Sequence, residues 1–172
     1  MDYANQTLAL SEQIGFKKGI GNAINSMGFI NFASYHYLTA HELYKKSLKI
    51  REEINDRQGI GGSYHNIANI YTEQGNYADA MKNYFAALKI LEEIGDTHHV
   101  ALTTRNIGYI YSQQGNFPEA LKNYLAALKI LIQVGDKVYI AETYFSMSGI
   151  NHKQKNFNPY FIYPISNKLN YI

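Results

Sequence analysis

Residues 61 to 100 and 101 to 140 are two copies of one forty-residue unit. Set one above the other they agree, without a gap, at 19 of 40 positions, where unrelated stretches would agree at roughly two or three. The shared residues include Asn66/Asn106, Ile67/Ile107, Ile70/Ile110, Tyr71/Tyr111, the Gln-Gly-Asn triplets at 74–76 and 114–116, Ala80/Ala120, Tyr84/Tyr124, the runs 86–91 and 126–131, and Gly95-Asp96/Gly135-Asp136. A repeat of this length is one supersecondary unit. It cannot bury its own apolar face and must stack on its copies.

Within the unit the apolar spacing is helical. Ile60, Tyr64, Ile67, Ala68 and Tyr71 recur every three or four residues, as do Tyr77, Ala80, Tyr84, Ala87, Leu88 and Leu91, which places each set on one helix face. Gln74-Gly75-Asn76 and Gly95-Asp96 interrupt the pattern where a helix stop and an acidic helix start belong. Pro118 falls in a first turn, where a missing N–H costs little. Alternation of apolar and polar residues, the strand signature, is absent. The spacing predicts helices over about 2–15, 18–34, 37–55, 58–74, 77–94, 98–114, 117–134 and 138–154.

The register runs outward from the central pair. Ala40, Tyr44, Leu48 and Ile54 stand forty residues before Ala80, Tyr84, Leu88 and Ile94, and Met147 stands forty after Ile107. The expected organisation is a repeat domain over 2–156: a half repeat 2–15, full repeats at about 17–56, 57–96 and 97–136, and a half repeat 137–156. An irregular aromatic tail, 157–172, follows. Pro159 and Pro164 lie where a last helix would run, and an interior proline opposes a helix by about 3 kcal/mol. An opening inside a second helix and a repeat lost at the end suit a truncated product or a fragment.

Paired helices with a Gly-Asn turn and small residues at fixed places resemble the tetratricopeptide repeat. That family's pattern has an aromatic at position 4, Ile/Leu–Gly/Ala at 7 and 8, an aromatic at 11, Ala at 20, an aromatic at 24 and Ala at 27. The second repeat supplies Tyr64, Ile67-Ala68, Tyr71, Ala80, Tyr84 and Ala87. The third supplies Ile107-Gly108, Tyr111, Ala120, Tyr124 and Ala127, with Thr104 departing. The first is weaker, with Ile24, Met27-Gly28, Asn31, Ala40, Tyr44 and Ser47. The resemblance implies an all-α, right-handed superhelical solenoid of antiparallel helix pairs. The forty-residue period is similar to that of repeats in bacterial signalling proteins and in eukaryotic scaffolds.

In the family, positions 2, 5, 9 and 12 of each first helix line a concave groove. Here they are Asn22, Asn25, Phe29 and Phe32; Gly62, His65, Asn69 and Thr72; Leu102, Arg105, Tyr109 and Ser112; and Glu142, Phe145, Gly149 and His152. Amides and aromatics suit capture of a peptide, whose backbone they bond and whose side chains they cover. Asn66 and Asn106, at position 6, are polar where packing does not ask for it. They either face a partner or bond to the adjacent helix. The candidate groove residues are therefore Asn25, Phe29, His65, Asn66, Asn69, Arg105, Asn106 and Tyr109. A carboxylate clamp of the family's kind is not expected, since only Asn69 matches it outright and Arg105 in charge. Lys82-Asn83 and Lys122-Asn123 are expected on the convex side.

Other function classes find little support. Sixteen basic and fourteen acidic residues, scattered, give a net charge of +2 and argue against a nucleic-acid or membrane footprint. No apolar run approaches the ~20 residues that span a bilayer, no signal peptide is visible, and no cysteine is present, so a cytoplasmic location is expected. The six histidines form no ligand spacing: His36 and His41 are five apart, His98 and His99 adjacent, His65 and His152 isolated. With no His-Glu-x-x-His, phosphate loop or Ser-His-Asp set, the chain is expected to bind no metal or cofactor and to be no enzyme. The reading is a protein-interaction module that takes a peptide or protein segment in its groove. The alternative is a regulatory or sensor segment of a larger bacterial signalling protein, such as a histidine kinase, cyclase or transcription regulator. With no regular mate for the last helix, Ile140, Tyr144, Met147 and Ile150 are expected partly uncovered, together with Phe157, Tyr160, Phe161 and Tyr163. Either the tail covers that face or the face pairs with another molecule. Since Pro159 and Pro164 oppose a regular covering helix, self-association through the solenoid ends is the favoured expectation.

Overall fold

The computed structural model describes residues 2–153, with side chains to residue 150. Within them lie eight helices and no strand: α1 (Asp2–Gln13), α2 (Lys17–Ala33), α3 (Tyr37–Glu53), α4 (Arg57–Glu73), α5 (Tyr77–Glu93), α6 (Thr97–Gln113), α7 (Phe117–Val134) and α8 (Lys137–Lys153). Their ends fall within two residues of the periodicity reading. Residues 154–172, and with them the tail, lie outside the described residues.

Turn chemistry explains the breaks. Gly75 and Gly115 hold φ of +71° and +77°, the left-handed region that an L side chain enters only with strain. The backbone of Asn76 then bonds back to Tyr71 O at 2.9 Å, while its side-chain oxygen accepts from Asp79 N and opens α5. Asn116 does the same for Glu119 N and α7. In the first repeat the equivalent turn residue is Tyr35, at φ 61° and exposed.

Each helix packs on the next. First helices also touch one another, α2 on α4, α4 on α6 and α6 on α8. One core motif recurs three times at forty-residue intervals. Ala40 and Tyr44 enclose Ile67 and Ile70; Ala80 and Tyr84 enclose Ile107 and Ile110; Ala120 and Tyr124 enclose Met147 and Ile150. The alanine lets two helices close up, and the tyrosine fills the wedge between hairpins. Small residues at position 8 serve the same fit: a Cβ on Gly28 would stand 2.7 Å from the Tyr44 ring. The cluster of Ala101, Leu128, Leu131 and Ile140 forms a second layer at the other end of the hairpin.

The expectation that Ile140, Met147 and Ile150 would be uncovered is corrected. They are 6%, 7% and 1% exposed, because they occupy the places of Val100, Ile107 and Ile110 and face the preceding hairpin rather than a following one. Tyr144 is half-buried between the two core layers. The apolar and small residues of α8 that stand open are Val138 and Phe145, with Ala141, Ser148 and Gly149.

Polar stitches repeat as well. The aspartates before α4, α6 and α8 each meet a residue of the preceding first helix: Lys18 to Asp56 at 3.5 Å, Gln58 to Asp96 at 3.2 Å, His98 to Asp136 at 2.9 Å. The bond from His98 holds the Asp136 carboxyl below its usual range. No described helix is long and apolar enough to cross a membrane.

Candidate functional site

Two cavities open along the inner wall formed by α2, α4 and α6. The first, of about 300 Å³, is lined among others by Asn22, Asn25, Arg51, His65, Asn66 and Lys18. The second, of about 400 Å³, is lined by Phe32, Asn69, Thr72, Arg105, Asn106 and Tyr109, with Glu73 and Tyr84.

The first cavity is built around Arg51, from the last turn of α3. Its side chain is 6% exposed. Nη1 donates to Gly59 O at 2.9 Å and Ser63 Oγ at 2.8 Å, with a longer contact to Asn25 Oδ1 at 3.5 Å, and Nη2 donates to Asn22 Oδ1 at 3.1 Å. Burial pulls its pKa down and the nearby Asp56 partly restores it; a guanidinium stays charged in either case. A guanidinium has donors only, so both asparagines must turn their oxygens to it and leave their NH2 groups to the cavity they line. Asn66 donates its own Nδ2 to Asn25 Oδ1 at 3.1 Å and keeps its oxygen.

The second cavity repeats the logic with a different anchor. The Tyr84 hydroxyl donates to Asn69 Oδ1 at 2.6 Å, and Asn106 Nδ2 donates to the same oxygen at 3.0 Å. Asn69 therefore presents its NH2 group and Asn106 its oxygen. Burial pushes the Tyr84 hydroxyl up to about 12, so it stays a donor. Arg105 pairs with Glu142 at 3.0 Å and lies 5.8 Å from the centre of the Tyr139 ring. Tyr109 is 42% exposed and closes the other side.

The sequence candidates are thus divided. Asn25, His65 and Asn66 line the first cavity, and Asn69, Arg105, Asn106 and Tyr109 the second. Phe29 lines neither and is 61% exposed. His65 is 9% exposed, with its ring edge-on to Tyr84 and 5.6 Å away. Thr103 Oγ1 spends its one proton on His99 O at 2.7 Å. His65 Nδ1, 2.8 Å from that oxygen, must then be the donor. The ring is the neutral Nδ1–H tautomer, and burial first, the field of His99 second, lowers its pKa to about 4. Asn66 and Asn106 both bond to the adjacent first helix, and each still has its oxygen to offer. Lys82 and Lys122 are exposed. Among the described residues no group of three or more His, Asp or Glu side chains could hold a metal ion.

Arg51 was not among the candidates, yet the register contains its signal. It aligns with Leu91 and Leu131, which are 1% and 0% exposed. A charge at a position that is leucine in both other repeats marks a departure from pure packing.

The sequence pattern of the tetratricopeptide repeat family matches residues 59–133 and 99–159. Among curated proteins no sequence match is found. Three solved structures share the fold. BtubC from P. vanneervenii is 20% identical, with a TM-score of 0.75 over 89% of this chain and 65% of that one. A Rap protein complexed with competence and sporulation factor is 18% identical, with a TM-score of 0.75 over 83% of this chain and 40% of that one. Aspartyl phosphate phosphatase F from Bacillus subtilis is 19% identical, with a TM-score of 0.79 over 98% of this chain and 45% of that one. The chain thus spans less than two thirds of the length of each.

Proposed function

Given that the chain belongs to the tetratricopeptide repeat family, we propose that it is a protein-interaction module that takes an extended peptide segment along its inner wall. The observation that carries this is the row of oriented amides. Asn22, Asn25 and Asn69 offer N–H donors, and Asn66 and Asn106 offer oxygens. Buried Arg51 fixes Asn22 and Asn25, buried Tyr84 fixes Asn69, and Asn25 and Asn69 in turn fix Asn66 and Asn106, so little side-chain freedom is lost on binding. A peptide backbone carries one donor and one acceptor per residue and is the natural complement of such a row. Tyr109 and Phe32 flank the second cavity and supply apolar surface for a side chain. The structure of a Rap protein with competence and sporulation factor lends the reading support by fold likeness.

The test is selection of binders from a random peptide display library on the immobilised protein, followed by affinity measurement on variants. Arg105→Ala and Tyr109→Ala should each weaken the selected peptides by about 1–2 kcal/mol, while Lys82→Ala and Lys122→Ala should leave them unchanged. Binding lost in the lysine variants and kept in the other two would put the site on the convex face and overturn the proposal. In a second reading the same groove is the sensor segment of a larger bacterial signalling protein. The likeness to a Rap protein and to a phosphatase favours it, and an output domain encoded in the same gene would decide for it.

A further inference from the structure

We propose that the cavity over Arg51 is a subsite for a single carboxylate, presented by a ligand lying in the groove. The proposal rests on the peptide-groove reading and names the chemistry of one of its contacts.

Packing alone does not ask for this arginine. In the other two repeats leucine fills the place and is fully buried. There it gains the transfer energy of an apolar side chain with no desolvation cost. Arg51 keeps the leucine's position: a Cβ on Gly21 would meet its Cγ at 3.5 Å, as one on Gly61 would meet Leu91 at 2.9 Å. Its guanidinium then reaches past that layer to the inner wall.

The donors are incompletely used. Of five N–H groups, three make the short bonds to Gly59, Ser63 and Asn22. The buried Nε has no partner. The second hydrogen of Nη2 has none among the described residues. No carboxylate of the described residues lies within 4.0 Å of the group; Asp56, whose field partly supports its charge, makes its direct contact with Lys18 at 3.5 Å. Asp56 acts on the group only across a gap, and a buried cation with no carboxylate in direct contact still gains from one that arrives.

The surroundings select the charge and shape of what arrives. The lining carries two positive groups, Lys18 and Arg51, against one negative, Asp56. The net charge of one suits a monoanion, and the Asp56 carboxylate in the wall opposes a phosphate dianion. Asn22 and Asn25, their oxygens turned to Arg51, direct two neutral NH2 donors into the same space. A planar carboxylate can accept from these amides while sitting in the field of the guanidinium. The site differs from a clamp of first-helix residues, because its cation comes from the second helix of its hairpin.

The experiment is an NMR titration of the isotopically labelled protein with three short capped peptides. One is acetyl-Ala-Ala-Glu-Ala-Ala-amide, the second has Gln for Glu, and the third is acetyl-Ala-Ala-Ala with a free terminal carboxylate. At least one acid peptide should bind about ten-fold or more tighter than the Gln peptide and shift the Arg51 Nε–H and the Asn22 and Asn25 side-chain amides. Which acid peptide does so tells a side-chain carboxylate from a chain terminus. Arg51→Leu, which installs the residue of the other repeats, should abolish the preference. So should Asn22→Asp, whose own carboxylate would occupy the guanidinium. Equal binding of acid and Gln peptides, or a preference that survives both substitutions, would overturn the subsite and leave the groove reading standing. If no peptide moves the side-chain amides of Asn69 and Asn106 or those over Arg51, both fall together.

Discussion

His65 gives the chain a calculable weakness in mild acid. Its ring is buried, donates from Nδ1 to Thr103 and has a pKa of about 4, against about 6.5 in an unfolded chain. Between those two values the unfolded state binds a proton that the folded state refuses, so stability rises with pH there. It is fully present above about 6.5 and drains away as pH falls toward 4. Over the window from pH 8 to pH 5 this single residue should remove about 2 kcal/mol, and the full shift is about 3 kcal/mol. Urea unfolding of the wild type and of His65→Asn, asparagine being the residue at the equivalent position 25, reads this directly. The variant should be the weaker protein at pH 8, having lost the bond to Thr103, but should show about 2 kcal/mol less decline by pH 5. Parallel declines in the two proteins would refute the burial argument, because the other titratable groups are common to both.

Two further outcomes follow from packing and polar wiring. Ala80→Leu should destabilise by about 1–3 kcal/mol through overpacking against α6, whereas Ala78→Leu, on the exposed side of α5, should stay within about 0.5 kcal/mol; equal midpoints in urea would show the repeat register to be misplaced. Asn69→Ala should cost about 1–3 kcal/mol, since it strips the acceptor from both Tyr84 and Asn106, while Tyr109→Ala should be near neutral in the absence of a ligand, and calorimetry of the two separates structural from exposed groove residues.

The fold was legible because its determinants are local and repeated. Ala80, Tyr84, Ile107 and Ile110 recur as a set, and a set that recurs at a fixed interval can only be stacked one way. The inner wall was legible only by position. Reading it as a row of solvent-facing side chains predicts that Asn69 is dispensable for stability, yet it accepts two hydrogen bonds, one of them from the deeply buried Tyr84. His65 and Asn69 belong to the same helix face, but one is closed over by Thr103 and Tyr84 and the other borders open space. That difference depends on neighbours from other helices, 38 residues away for Thr103, which no spacing within one helix records. Arg51 went unread for a simpler reason: attention to the first helix of each pair leaves out a side chain long enough to reach the groove from the second.

The reach of the contacts bears on how such a chain can change over generations. Among the described residues, helices touch only those one or two places along, and the Asn25–Asn66 bond joins residues 41 apart. Low contact order of this kind lets structure nucleate locally and spread. It also means that copying one unit between Asp96 and Thr97 would give every apolar face an equivalent neighbour, and the 19 positions shared by the two central units are what such duplication leaves behind. The amide row has no such freedom. Arg51 holds Asn22 and Asn25, and Tyr84 holds Asn69, each by a pairing found at one place in the array. Lengthening the array would extend the scaffold at little risk while rewriting what it recognises, so a gain in length is also a change of specificity.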